Sequence, residues 1–389
     1  MKNKNNVLIS LFMTMILFLI AIFINYGEEI NIAEAFEIKT KKTINIVAVG
    51  NILVHYDQIL AAYNNESYKY EFQENFKYIK EYIEEADFAY CNIESSYGGE
   101  SLGYSGYPRF NSPESMLSAL KDTGFDLVNA ASDNILDSLE EGYFNTIDNL
   151  EQIELKYTGI KRESNSQDYI IEKIDGIKIG FTSYTFDDSF KNSKEEVVDL
   201  INTYSYSDLD NSLLKIESKI NEMKKNGAKF IMIGVHWGDE FNIEPNDTQK
   251  YIAEKLNFYG ADVILGSHPN VVEPIETIVN EESGHSTLVI YSMGNFISNQ
   301  RQETMGNRLC EDGIILNLEI GKKLNGEVEV VSYTYIPTWT YKYKDSNGKN
   351  NYYILDSKKV LNHENKDEIP DTVLNSLEKS IKSIDNIIK

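Results

Sequence analysis

A chain of 389 residues with 42% hydrophobic and 12% aromatic residues is too apolar to be disordered and has room for one large or two medium domains. Its formal charge of -24 argues against nucleic acid as a partner and against broad adhesion to anionic lipid, so a polyanion would have to meet a local cationic pocket. Two cysteines, Cys91 and Cys310, form no disulfide framework and no zinc-ligand spacing; they read as small apolar fillers, with a pairing between them left open.

Lys2 and Lys4 precede an apolar run from Val7 to Ile24 that only Ser10 and Thr14 interrupt. A run of about 18 residues is near the minimum for a membrane span and long for a signal-peptide core. Positive charge ahead of it predicts a cytoplasmic N-terminus and an extracellular remainder, a single pass through the cell membrane. Residues 1–25 are expected to be a cytoplasmic tip and signal-anchor helix, and 26–42 a polar linker. Cleavage near Ala33-Glu34-Ala35 is the alternative.

Ile44 to Val49 reads as a buried strand ending at Gly50-Asn51, with His55 four residues further on. The spacing of Phe76, Ile79, Tyr82 and Ile83 predicts a helix over Glu74 to Ala86, followed by a strand from Asp87 to Cys91 that ends in Asn92-Ile93-Glu94. Tyr97 to Ser112, rich in glycine and tyrosine, is too long for a simple connection and is a candidate substrate loop. A helix from Pro113 to Lys121, stopped by Gly124, precedes a strand from Phe125 to Ala130 whose tip is Ala131-Ser132-Asp133-Asn134. A helix near Leu139 to Ile153 follows.

Tyr169 to Ile174 and Ile177 to Tyr184, joined by Asp175-Gly176, have a hairpin signature. Asp208 to Lys225 is an amphipathic helix closed by Gly227, and Asp247 to Tyr259 another closed by Gly260. Two apolar runs stop at histidine-bearing turns: Lys229 to Val235 before His236-Trp237-Gly238, and Ala261 to Gly266 before Ser267-His268-Pro269-Asn270. Strands near Val271–Val279 and Ser286–Tyr291 lead to Ser292-Met293-Gly294-Asn295-Phe296. Antiparallel β pattern runs from Gly313 to about Pro337, then come a polar turn at Asp345–Asn350 and a charged helix over Ile369–Lys389. No internal repeat is present. Helices alternating with strands, then mostly strands, suggest an α/β fold with a sheet-on-sheet core flanked by helices.

A polar residue after a strand is ordinarily a turn former or helix cap. Here five tips carry Asn51 with His55, Asn92 with Glu94, Asp133 with Asn134, His236, and His268 with Asn270, and parallel strands converge such ends on one crevice. Mixed oxygen and imidazole donors suit one divalent ion such as Mn, Fe or Zn better than Ca or Mg. Of the remaining histidines, His285 sits in a hairpin turn and His363 in a polar stretch, both expected at the surface. Arg109, Arg301 and Arg308 are candidates for gripping a carboxylate or phosphate.

The phrases Asn92-Ile-Glu94, His236-Trp-Gly238, Pro245 with Gln249, Gly260 to Pro269 and Tyr291-Ser-Met-Gly-Asn-Phe296 resemble the poly-γ-glutamate capsule-biosynthesis (CapA-type) family. That family is related to calcineurin-like metallophosphoesterases. The resemblance implies a four-layer α/β/β/α sandwich over residues 43–340, with 341–389 as a C-terminal extension carrying a helix. It implies metal positions at Asn51, Glu94, Asp133, His236, His268 and Asn270, catalytic positions at His55, Asn134 and His268, and Asn295 beside the arginines as a substrate contact.

Three of the motifs depart from the family's pattern, at four of those positions. Gly50-Asn51 stands where Gly-Asp is usual, Asp133-Asn134 where Asn-His is usual, and His268-Pro269-Asn270 where His-Pro-His is usual. The changes remove one charged ligand and add another, replace an acid imidazole with an amide, and weaken one ligand. A remodelled site with at most one ion is therefore expected, and turnover is left open. The expected role is assistance in synthesis, export or anchoring of poly-γ-glutamate or a similar anionic capsule polymer, alongside membrane-embedded synthesis proteins. The alternative is a metal-dependent hydrolase of a phosphoester or amide in the cell envelope.

Overall fold

The computed structural model describes residues 42–363 and 369–388. The expected anchor and nearly all of the linker lie outside these residues, and among the described residues no helix is long and apolar enough to cross a membrane. One compact unit comprises Thr43–Gly321 and Val328–Lys389. The turn Lys322–Glu327 falls to a separate unit and is closed by a hydrogen bond from Lys323 N to Glu327 O at 2.8 Å.

The first half of the chain runs β1 (Lys42–Ile52), α1 (Tyr56–Ala62), β2 (Tyr63–Asn64), β3 (Lys69–Tyr70), α2 (Lys80–Glu84), β4 (Phe88–Ile93), α3 (Ser115–Thr123), β5 (Leu127–Asn129), α4 (Leu139–Gln152) and β6 (Lys156–Thr158). It continues with β7 (Ile170–Ile174), β8 (Ile177–Phe186), α5 (Glu195–Val198), β9 (Thr203–Tyr204), α6 (Leu209–Lys225), β10 (Phe230–His236), α7 (Asp247–Tyr259), β11 (Val263–Ser267), β12 (Ile275–Val279) and β13 (Ser286–Ile290). The last part holds β14 (Asn295–Ile297), α8 (Gln302–Met305), β15 (Asp312–Lys322), β16 (Val328–Lys344), β17 (Asn350–Asp356), α9 (Ser357–Leu361) and α10 (Asp371–Ile387).

Two large sheets result. The first has the order β17-β16-β15-β1-β4-β5-β6, with β14 also paired to β1; the second has the order β12-β13-β11-β10-β8-β7. Their central strands are parallel: β14, β1, β4, β5 and β6 in the first, and β8, β10, β11 and β13 in the second. Apart from the short edge strand β6, these strands are buried on both faces, which is why they read as unbroken apolar runs rather than alternating ones.

Side-chain alternation sorts these residues into three cores. Ile44, Ile46 and Ala48 of β1 face Phe230, Met232, Val263 and Leu265 between the sheets. Val47 and Val49 turn the other way, to Met116, Leu120, Tyr143 and Ile147 from α3 and α4. Ile231, Ile233 and Ile264 of the second sheet meet Leu213, Ile216, Ile252 and Leu256 from α6 and α7. Three cores separate four layers, helices outside and sheets within, and the mixed α/β expectation holds.

The differences are local. The helix expected over Glu74–Ala86 is a 3-10 turn, Gln73–Phe76, followed by the short α2, with Ile79 at φ -121° breaking the run. Phe76, Ile79 and Ile83 still enter one core, so shared burial outweighs a regular helical ladder here. β6, β9, β14 and α5 have two to four residues each, too few for periodicity to register. The antiparallel region extends beyond Pro337: β16 runs on to Lys344 and pairs with β17. α10 is amphipathic rather than merely charged, and Val373 and Leu377 pack with Trp339 and Leu355. Cys91 and Cys310 are both buried and free.

One buried carboxylate sets a pH dependence. Glu273 is fully buried, accepts from Gln249 Nε2 at 2.7 Å, and burial pushes its carboxyl up to about 8. Between the unfolded carboxylate range and pH 8 the folded chain holds this proton and the unfolded chain does not, so this group lowers stability as pH rises. Thermal melts should show Glu273→Gln flattening the fall in stability between about pH 5 and 8, by on the order of 3–4 kcal/mol. An unchanged slope would contradict this account.

Candidate metal centre

The C-terminal ends of β1, β4 and β5 from one sheet meet those of β10 and β11 from the other. His236 closes β10 and is fully buried; its Nε2 lies 3.1 Å from Asp133 Oδ1 and its Nδ1 3.1 Å from Ser267 Oγ. Glu94 Oε1 is 3.5 Å from the same Nδ1. His268 Nδ1 stands 3.7 Å from Asp133 Oδ2, and the two imidazole centroids are 4.6 Å apart. Phe186 stacks on His236 at 5.8 Å and meets His268 edge-on at 5.2 Å, which fixes both rings.

The backbone here is strained. His268 has φ +96° and Asn270 φ +61°, conformations that side chains other than glycine rarely adopt. Such outliers cost roughly 1–3 kcal/mol each and persist where surrounding contacts over-determine them. Gly266, just before them, cannot carry a Cβ, which would sit 1.8 Å from the Tyr291 carbonyl oxygen. The turn that aims His268 is thus held from both sides.

Electrostatics match a cation site. Burial works against charge on Asp133, yet the facing His236 and His268 hold its carboxyl down to about 2. Burial, then the charges of Asp133 and Glu240, push Glu94 well above the ordinary carboxylate range. Burial and neighbouring His236 hold the His268 imidazole down to about 4, leaving it neutral and able to ligate near pH 7. One ligand atom each from Asp133, His236 and His268 lies within 4.8 Å of the others. Nitrogen and oxygen donors at that separation fit a borderline divalent ion.

Beside this cluster lies an uncharged half. Asn51 Nδ2 donates to Asn270 Oδ1 at 3.2 Å and to Asn295 Oδ1 at 3.3 Å, and Asn92 Nδ2 donates to Asn51 Oδ1 at 3.2 Å. Asn270 in turn donates to Glu240 Oε1 at 3.0 Å. Asn51 and Asn270, two of the expected ligands, are therefore bonded to each other.

A family profile described as "Bacterial capsule synthesis protein PGA_cap" matches residues 45–300, about two-thirds of the chain. The chain belongs to this capsule synthesis family. It resembles the capsule biosynthesis protein CapA of Bacillus anthracis, 23% identical over 269 residues that cover 67% of this chain and 61% of that protein. It also resembles the PGA biosynthesis protein CapA of Bacillus subtilis (strain 168), 27% identical over 216 residues, 55% of this chain and 52% of that one. The matches thus span between half and two-thirds of the length of these curated relatives. Among solved structures, the calcineurin-like phosphoesterase YfkN from Bacillus subtilis aligns with 13% identity and a TM-score of 0.46, over 89% of this chain and 98% of that one.

The other expected site residues of this PGA_cap chain are placed as follows. His55 is the N-cap residue of α1, packs edge-on against Phe110 at 5.3 Å, and lies 3.4 Å through Nδ1 from the Asn299 amide nitrogen; burial pushes it down to about 4. Asn134 donates to the Glu94 carbonyl oxygen at 3.2 Å. Asn295 is buried and donates to Asn270 O, Gln300 Oε1 and Cys310 O. Arg301, expected to grip an anion, is instead consumed within the fold: its guanidinium is buried against Glu311 at 2.7 Å and the Thr340 carbonyl at 2.8 Å. Arg308 likewise pairs with Asp312 at 2.9 Å and Ser383 at 2.6 Å. Arg109 is exposed beside Phe110 and acts electrostatically on Asp137.

Sequence reasoning passed over Glu240, Ser267 and Asn129. Glu240 and Ser267 carry no sequence signal, because their roles depend on contacts across 30 or 31 residues of chain. Asn129 carried one, as a third asparagine ending an apolar strand.

Proposed function

We propose that this chain serves the synthesis, export or anchoring of poly-γ-glutamate or a similar anionic polymer at the outer face of the cell membrane, held there by its N-terminal segment. The PGA_cap match over residues 45–300 supports this reading. Asp133, His236 and His268, with Glu94 alongside, would hold one divalent ion (Mn, Fe or Zn). A bound ion supplies a Lewis acid for a polymer carboxylate or phosphate oxygen. Phe186 and Ser267 keep the imidazoles in place, and Arg109 adds exposed positive charge near the crevice to offset the acidic surface that would repel a polyanion.

Binding is favoured over hydrolysis because an amide stands at the position expected to serve the leaving group. Asn134 is an amide and cannot supply a proton to a leaving group, and Asn51 and Asn270 hydrogen-bond each other. In a polymer-producing host, removal of the full-length chain should abolish cell-associated polymer, and a His268→Ala copy should fail to restore what the wild type restores. Normal polymer without the chain would overturn the reading. Normal polymer together with phosphodiester turnover by the purified full chain would establish the hydrolase alternative.

A further inference from the structure

Four asparagines sit on a single rung of the first sheet. Strand register pairs Asn295 of β14 with Asn51 of β1, Asn51 with Asn92 of β4, and Asn92 with Asn129 of β5. All four are at most 1% exposed. Their side chains hydrogen-bond in one direction: Asn129 Nδ2 to Asn92 Oδ1 at 2.7 Å, Asn92 Nδ2 to Asn51 Oδ1 at 3.2 Å, and Asn51 Nδ2 to Asn295 Oδ1 at 3.3 Å. Amides aligned head to tail polarise one another, so each bond strengthens the next.

The row has branches that reach the site. Asn92 Nδ2 also donates to Glu94 Oε1 at 3.3 Å, and Asn51 Nδ2 to Asn270 Oδ1 at 3.2 Å. At the origin, Asn129 Oδ1 accepts from the Ala131 amide at 2.8 Å, two residues before Asp133. A single side chain thus ties the segment bearing Asp133 to the amide that holds Glu94. The opposing strand leaves room for this only because residue 234 is glycine: a Cβ there would lie 3.2 Å from Asn129 Nδ2 and 2.4 Å from the Tyr90 hydroxyl.

We infer that Asn129 is a positioning residue, which acts through Asn92 to set Glu94 against the Asp133–His236–His268 cluster. The inference rests on reading that cluster as a metal centre. Its consequence is directional. Asn129→Asp keeps the acceptor for Ala131 but removes the donor, so Asn92 turns its NH2 toward the new carboxylate and its carbonyl oxygen toward Glu94. The change at residue 129 touches no ligand, yet with Glu94 ionised, as ligation of a cation requires, it converts an attraction at Glu94 into a repulsion.

Cobalt titration of the full-length chain, read by its visible absorption, tests this. Asn129→Asp should weaken cobalt binding roughly 10–100-fold, the range for loss of an outer-shell partner, and shift the ligand-field bands while far-ultraviolet circular dichroism stays native. In a Glu94→Gln background the same change should add no more than about twofold, since the route runs through Glu94. Asn129→Ser, which drops the donor without burying a charge, should weaken binding in the same direction if the aspartate variant folds poorly. Unchanged affinity in folded variants, or an equal loss in the Glu94→Gln background, overturns the positioning role. Absence of cobalt binding by the wild type overturns the metal reading itself, and the positioning role with it.

Discussion

His236→Ala should strip the purified full chain of its divalent ion. Elemental analysis of the wild type should find about one Mn, Fe or Zn per chain, and the variant should fall to background. His236 is the centre of the cluster: fully buried, 3.1 Å from Asp133 Oδ1, 3.5 Å from Glu94 Oε1, and in ring contact with His268. Losing a direct ligand should cost more affinity than the 10–100-fold typical of an outer-shell partner. The variant should still fold, because the imidazole contributes little to the three apolar cores, and native far-ultraviolet circular dichroism with no metal is the expected pair of results. Retention of a full complement of ion by His236→Ala would place the metal elsewhere or nowhere.

The second large effect is a gain. Asn51→Asp, Asn134→His and Asn270→His together should raise metal content from about one to about two ions per chain and bring hydrolysis of a simple phosphodiester above background. The wild-type geometry accommodates the aspartate. Asn51 Oδ1 accepts from Asn92, which an aspartate does equally well, and only the donations from Asn51 to Asn270 and Asn295 are lost. A cation between residues 51 and 270 would replace those bonds. The single Asn51→Asp change should gain far less, since it buries a carboxylate beside Glu94 and Glu240 without the imidazole. A triple variant that still holds one ion would show that the second position was closed by more than these three side chains.

The central strands and their histidine-bearing tips were legible because parallel strands buried on both faces leave long apolar runs that end abruptly. Phe230 to His236 and Val263 to Ser267 lie within the runs expected to end at His236 and His268. Glu94, Asp133, His236 and His268 do meet, as convergent strand ends require. What stayed hidden depended on distant partners. Arg301 read as a free cation because nothing local announces that Glu311, ten residues on, would fold back to neutralise it; Asp312, only four residues after Arg308, was a local signal passed over. Strands of two or three residues, such as β9 and β14, are set by neighbours rather than by their own pattern. The asparagine rung needed register, which periodicity does not supply.

The donors at the centre come from two separate sheets, Glu94 and Asp133 from one and His236 and His268 from the other. An ion seated among them would act as a clasp across the seam of the sandwich, reinforcing a join that the strand ends already make. Loading and cohesion would then be one event: the cation would tighten the hold of one sheet on the other, and chelation would loosen it.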